Sequence, residues 1–280
     1  MSFTIKNMTR ADMDVAIDWA ATEGWNPGLS DAEVFFATDP NGFFMAWEDE
    51  RPIGAISAVR YGPEKFGFVG FFIVVSDKRG GTVGPALAEV ALKYLHGYNI
   101  GQDGVLAKVK NYATAGFKLA YSNFRYGGLA GNSTSFQNPA VRVIGQENFA
   151  DICAYDRQCF PAGRESFLDK WFCQPGTQTV VYIDDGICGY GVIRRCRSGY
   201  KIGPLFADNA DIAEQLFLAL TKDRSGEQIF LDVPETNAAA VKLAEQHQLQ
   251  PVFATARMYN NGEPALAIEK IFGVTTFELG

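Results

Sequence analysis

The clearest chemical signal in the chain is the stretch Phe72-Ile73-Val74-Val75-Ser76-Asp77-Lys78-Arg79-Gly80-Gly81-Thr82-Val83-Gly84-Pro85-Ala86-Leu87. A buried strand runs there into a basic, glycine-rich turn that opens an amphipathic helix. Glycines let successive main-chain N–H groups point inward, and the start of a helix adds positive potential. Together they can cradle a pyrophosphate. The segment has neither the Gly-Lys-Ser/Thr of a nucleoside-triphosphate loop nor the Gly-x-Gly-x-x-Gly of a dinucleotide turn. By itself it reads equally well as an ordinary strand-to-helix turn. A second group, Glu23-Gly24-Trp25-Asn26-Pro27-Gly28, puts a carboxylate, an indole and an amide where a first helix gives way to a loop. Trp25 and Asn26 can hold a substrate by stacking and hydrogen bonding. A helix stop followed by a Pro-Gly turn accounts for the same residues.

Other chemistries are poorly supplied. The five cysteines, Cys153, Cys159, Cys173, Cys188 and Cys196, are odd in number and lack Cys-x-x-Cys spacing, and the histidines are His96 and His247 alone. No metal is therefore expected, and the cysteines read as reduced, buried thiols. Lys plus Arg number 25 against 32 Asp plus Glu, for a net charge of −7. With no basic run, no nucleic-acid partner is expected. The opening residues Met1 to Asn7 lack an apolar signal core, and the longest apolar run, Phe66 to Val75, is half of the about 20 residues a membrane helix needs. A cytoplasmic protein with no membrane partner is expected.

The elements that must position these residues occur twice. Phe43 to Ala55 reads strand, charged turn, strand, and Val180 to Tyr190 reads the same way. Pairing Gly54 with Gly189 also places Asp49 on Asp184, and pairing Gly116 with Gln248 keeps nearly the same offset. The chain of 280 residues is thus read as two diverged copies of one fold, 1–138 and 139–280. The joint falls in the polar stretch Gly127 to Ser135, ahead of a strand at Val141 to Ile144. In the first copy Arg10 to Glu23 is an amphipathic helix with Met13, Ala16, Ile17 and Ala20 on one face. Ser30 and Glu33 suggest a capping box for a second helix. Thr82 to His96 is a third helix, with Pro85 in its first turn. The fold class is α/β: two tandem units, each a mixed, mostly antiparallel sheet flanked by helices.

The Arg79-to-Gly84 segment resembles the acetyl-CoA-binding motif of the GCN5-related N-acetyltransferases (GNAT), Arg/Gln-x-x-Gly-x-Gly/Ala after strand four. Arg79 and Gly84 match its ends. Thr82 stands at the middle glycine, and Ser76 where a proline is frequent. Tyr112-x-x-x-Gly116-Phe117 is similar to the family's signature at the last helix. Gly203-Pro204-Leu205-Phe206 and the end from Phe272 to Gly280 look like those of bacterial two-domain members. In the second half, Asn237-x-x-Ala240-x-x-Leu243 keeps family spacing. Ala244 replaces the tyrosine there, Gln248 the glycine, and Ala207 to Asp211 holds no cradle. This copy is expected to have lost cofactor binding.

The resemblance implies an acetyl-CoA-dependent N-acetyltransferase acting on the amine of a small molecule by direct attack in a ternary complex. Cofactor contacts are expected at Ile73, Val74, Val75, Arg79, Gly80, Gly81, Thr82, Val83, Gly84, Asn111 and Tyr112. An alkyl amine with a pKa of about 10.4 needs a base, and the departing thiolate needs a proton. Tyr112 matches the tyrosine that supplies that proton. Glu23 is the candidate base, beside Trp25 and Asn26 at the acceptor pocket, while Asp232 and Glu235 stay open as carboxylates acting through a water, and the identity of the base is not fixed. A main-chain N–H near Val74 is the candidate oxyanion donor. The competing reading is a non-catalytic acyl-CoA-sensing or interaction protein, suggested by Thr82 and the degenerate second copy. The acceptor, the acyl length and the oligomeric state stay open.

Overall fold

In the computed structural model, which describes residues 2–132, 135–145 and 148–280, thirteen strands join in one mixed sheet. Of the expected joint, Ser133 and Thr134 lie outside the described residues, as does Met1. The first half contributes β1 (Thr4–Asn7), α1 (Arg10–Thr22), α2 (Asp31–Thr38), β2 (Phe43–Glu48), β3 (Arg51–Tyr61) and β4 (Phe66–Val74). It continues with α3 (Val83–Tyr94), β5 (Asn99–Val105), α4 (Val109–Thr114) and β6 (Lys118–Leu129). The second half follows the same order: β7 (Val141–Val143), α5 (Phe149–Asp156), α6 (Glu165–Cys173), β8 (Thr177–Ile183), β9 (Ile187–Arg195) and β10 (Tyr200–Ala207). It closes with α7 (Ala210–Thr221), β11 (Gln228–Pro234), α8 (Ala238–Gln246), β12 (Gln250–Tyr259) and a short β13 (Ile271–Gly273).

Local chemistry explains the element ends. Thr9 caps α1, its hydroxyl accepting from the Asp12 N–H while Asp12 reaches back to the Thr9 N–H. Met13, Ala16, Ile17 and Ala20 are the buried face of that helix, as the spacing implies. The expected box at Ser30 is not formed: Ser30 makes no side-chain cap bond, and Glu33 turns away to Arg10. Asp31 instead accepts from the Gly28 N–H and pairs with Arg194.

The repeat is visible in hydrogen bonds more than in residue identity. Asp49 and Asp185 both take positive φ in the hairpin turns of the two halves. Gly116 and Gln248 both follow a helix at positive φ, and Phe117 N–H to Tyr112 O is mirrored by Leu249 N–H to Ala244 O. On β4, Phe71 and Phe72 bulge opposite Ile56; on β10, Gly203 and Pro204 bulge opposite Val192.

The halves are interlocked. The strand order is β1-β2-β3-β4-β5-β12-β6-β11-β10-β9-β8-β7, so the last long strand of each half lies among the strands of the other. β12 is antiparallel to both β5 and β6, and β6 also pairs with β11. The faces covered by α1, α2, α5 and α6 merge into one core containing Phe35, Phe71, Trp171 and Tyr190, while α3 covers the opposite face of the first half. Buried ion pairs line that joint: Arg125–Asp232 at 2.6 and 2.7 Å, Arg194–Asp31 at 2.9 and 3.2 Å, and Arg257–Asp103 at 2.6 and 3.0 Å.

Two outcomes follow from the interlock. Residues 1–138 expressed alone, lacking β12 beside β5, are expected to show no cooperative thermal transition by circular dichroism, and co-expression with 139–280 is expected to restore it. Asp232→Asn strands the Arg125 guanidinium and is expected to cost about 3–5 kcal/mol in urea unfolding. Arg125 holds the Asp232 carboxyl below its usual range even against the penalty of burial. A depressed folded-state value contributes stability above about pH 4, and that share is lost as pH falls further in the native chain and is absent in the variant.

Candidate functional site

β4 and β5 run parallel and in register from Phe66 with Asn99 to Val69 with Gln102, and there the pairing stops. Beyond it β4 stays with β3 through Ile73 and Val74, and β5 stays with β12 through Val105. The two strands part as a wedge whose inner edges are the main chains of Gly70–Val74 and Asp103–Val105. Phe71, with φ at +45°, marks the bulge where β4 turns away. Such a backbone at a non-glycine residue costs free energy and belongs to functional sites more often than to ordinary strands.

The cradle lies at the open end of the wedge. A short 3-10 turn, Ser76–Lys78, leads into Arg79, and Gly80 takes φ +78° ahead of α3. Thr82 at the N-cap of α3 makes no side-chain cap bond, and the first turn carries no acidic residue. Nothing approaches within 4 Å of the Cβ position at Gly80, so the loop is open above its amides. Val83 is buried under the helix, and Gly84 sits beside Phe72 and Val74. Uncapped N–H groups at the positive end of a helix suit a diphosphate, so the residues present fit coenzyme A.

Arg79 spans the wedge mouth. Its Nε donates to the Val74 carbonyl at 2.8 Å, and its guanidinium is paired with Glu23. Glu23, expected as a base, therefore stands as the partner of the cradle arginine. Trp25 is half-buried against the shared core, and its carbonyl accepts from Arg125 Nη1 at 2.7 Å and Lys201 Nζ at 3.3 Å. Asn26, expected as a substrate contact, gives its amide N–H to the Ser198 carbonyl and accepts the Ser198 N–H. It thereby anchors its loop to the second half. Ile73 is buried on the α1 side, whereas Val74 and Val75 are half-buried on the α3 side. Asn111 is exposed on α4.

Tyr112 lies across the other edge of the wedge, its ring directly on Gly104. A Cβ at Gly104 would sit 2.3 Å from the Tyr112 ring, so only glycine lets α4 lay this phenol on β5. Burial raises the phenol pKa, against a smaller opposing effect of a main-chain hydrogen bond at Val105. The group is a neutral O–H donor at physiological pH. Gly104 escaped sequence reasoning; the unusual Gly-Gln-Asp-Gly run in a strand is the signal that marks it.

The second half has the same wedge and has closed it. β10 and β11 pair only from Tyr200 with Ile229 to Ile202 with Leu231. β13 then enters beside β10, Leu205 against Gly273 and Phe206 against Ile271, and the Val274 N–H donates to the Asp232 carbonyl at 2.8 Å. The helix start is filled as well: Asn209 caps α7 through the Ile212 N–H, Asp211 occupies its first turn, and Asp208 is tied to Tyr155 and Lys270.

Comparison with known proteins agrees with this geometry. Residues 11–116 match the model described as acetyltransferase (GNAT) family, and residues 152–273 match the one described as acetyltransferase (GNAT) domain. The chain is a tandem GNAT protein. A holothin acyltransferase of Pseudoalteromonas sp. (strain SANK 73390) is 28% identical over 281 residues, covering 100% of this chain and 95% of that protein. A putative acetyltransferase from Pyrococcus horikoshii superposes with a TM-score of 0.84 at 19% identity, over 99% of this chain and 96% of that one. A tandem GNAT protein from the clavulanic acid biosynthesis pathway superposes with a TM-score of 0.64 at 11% identity, over 92% and 98%. These likenesses place the chain in an acyltransferase family and do not favour a non-catalytic acyl-CoA sensor. Among the described residues, no helix is long and apolar enough to cross a membrane, and no group of three or more His, Cys, Asp or Glu could hold a metal ion.

Gly104→Ala tests how the GNAT wedge places its phenol. It is expected to displace Tyr112 and lower acyl transfer about 100-fold, the cost of a misplacement of about 1 Å, with little change in thermal midpoint.

Proposed function

We propose that this chain is an acetyl-CoA-dependent N-acetyltransferase that acetylates the amine of a small molecule while both substrates are bound. The observation that carries the reading is the open wedge of the first half, with an uncapped helix start at one edge and Tyr112 at the other. In this reading residues 1–138 carry the chemistry, and residues 139–280 are a degenerate copy that shapes the acceptor side.

Each group then has a task. The N–H groups from Gly80 to Gly84 take the diphosphate, with Thr82 able to add its hydroxyl. Arg79, steadied by Glu23, keeps the turn in place and adds positive charge. Ile73 pairs with Ala55 of β3, and the Val75 N–H and carbonyl are already bonded to Ile53 and Lys78, so they set the strand edge along which the pantetheine arm runs, and an N–H near Val74 faces the carbonyl oxygen as it becomes an oxyanion. Asn111, exposed on α4, is assigned a contact to the arm from that helix. The amine nitrogen forms the new C–N bond, the C–S bond breaks, and the Tyr112 hydroxyl gives its proton to the departing sulfur. Trp25 walls the acceptor pocket, and Asn26 fixes its loop. The holothin acyltransferase relative supports a small-molecule acceptor, and holothin is the first acceptor to assay.

Calorimetry with acetyl-CoA is expected to give one site per chain. Tyr112→Phe is expected to leave that affinity within about twofold and to lower kcat about 100-fold or more, the usual worth of a placed general acid. Tight binding without coenzyme A release from any amine would contradict the proposal.

A further inference from the structure

The segment after β13, Val274–Gly280, is buried along its whole length and crosses from one half to the other. It passes over β10 at Gly203, where a Cβ would lie 2.4 Å from the Thr275 carbonyl oxygen. It then reaches β4 at Gly70, where a Cβ would lie 2.0 Å from the Glu278 carbonyl oxygen. The Tyr61 hydroxyl holds it there by donating to the Leu279 carbonyl at 2.9 Å. Gly70 is the first β4 residue beyond the β5 pairing, so the Glu278 main chain rests at the apex of the wedge. It sits on the α1–α2 face, opposite the helix start of the cradle.

The other carboxylates of this face are taken. Asp103 is held by Arg257, Asp232 by Arg125, Asp31 by Arg194 and Glu23 by Arg79. Glu278 is 3% exposed, and its Oε2 is the one buried carboxylate oxygen among the described residues without a hydrogen-bond partner. Lys201, 1% exposed, faces it from β10 and spends a single bond at 3.3 Å, on the Trp25 carbonyl. Arg125 and Arg194 complete the charged groups around it, and Arg194 Nη1 is also unpartnered. A buried carboxylate oxygen with nothing to accept from is costly, and a group that arrives with the substrate can meet that need.

We propose that Glu278, carried by the second half into the wedge apex of the first, holds the acceptor amine and takes its proton. This deepens the acetyltransferase reading and rests on it. The acceptor enters as an ammonium ion, and Glu278 Oε2 takes one N–H proton and becomes a carboxylic acid. The freed nitrogen pair forms the C–N bond as the C–S bond breaks. Tyr112 gives its proton to sulfur and recovers one from the new N–H₂⁺ centre, and Glu278 later releases its proton to water. The second half thus supplies a catalytic residue from its closing segment.

The test uses the full chain with acetyl-CoA and holothin, phenethylamine, spermidine and glucosamine as probe amines, reading coenzyme A release and, by calorimetry, acetyl-CoA affinity. Glu278→Gln is expected to bind acetyl-CoA within twofold of wild type. It is expected to lose about 100-fold or more in kcat/KM. Glu278→Asp, which keeps the carboxylate, is expected to recover at least tenfold. Unchanged kcat/KM in Glu278→Gln overturns the proposal, as does an equal loss in both variants accompanied by weaker acetyl-CoA binding. Wild type that binds acetyl-CoA but acetylates none of the probes also counts against it. Wild type that binds no acetyl-CoA overturns the underlying reading instead.

Discussion

Main-chain N–H and C=O groups buried away from water must be paired, and this requirement organises both halves of the molecule. Two parallel strands that part leave such groups facing a gap. The second half resolves it internally: β13 enters between β10 and β11, and Asn209 with Asp211 fills the helix start. The first half leaves Gly70–Val74, Asp103–Val105 and the start of α3 open. The same fold therefore appears once closed by its own chain and once ready for a ligand, and the difference lies in what fills the wedge.

The interlock gives the closed half a use. With β12 between β5 and β6, the edge of the wedge that carries Gly104 is built against a strand of the second half. The loop from Glu23 to Gly28 is likewise held from across the joint, by Arg125 and Lys201 at Trp25 and by Ser198 at Asn26. Bridging charges of this kind stabilise little over an apolar core but penalise any arrangement that separates them. They fix how the acceptor side meets the wedge. In the proposed reading the second copy, whose wedge is filled by its own chain, serves as scaffold for its neighbour.

Much of this was legible in the sequence, and the limits have physical causes. The buried face of α1, the strand-turn-helix at residues 72–87 and the acidic start of α7 all follow from local periodicity and capping chemistry. The repeat was legible through Gly54 with Gly189 and Gly116 with Gln248, because both pairs mark backbone needs that outlast residue identity. Gly54 lies against Leu87 of α3 and Gly189 against Leu216 of α7. The capping box at Ser30 failed because Asp31, the next residue, has a stronger partner in Arg194, more than 160 positions away. The exchange of β6 and β12 was not legible, since each strand's pattern is satisfied equally by either neighbour. Glu23 reads in sequence as a candidate base and is paired with Arg79; nothing in the sequence marks Glu278, which is buried. Both depend on contacts that only the folded chain creates.

The central claim is that the open wedge of the first half, and not its closed counterpart, receives acetyl-CoA. Amide hydrogen exchange on the full chain, with and without the thioester, tests this most directly. Slowed exchange is expected across residues 70–87 and 103–112, with residues 203–216 unchanged. Protection at 203–216, or none at 79–84, would contradict it.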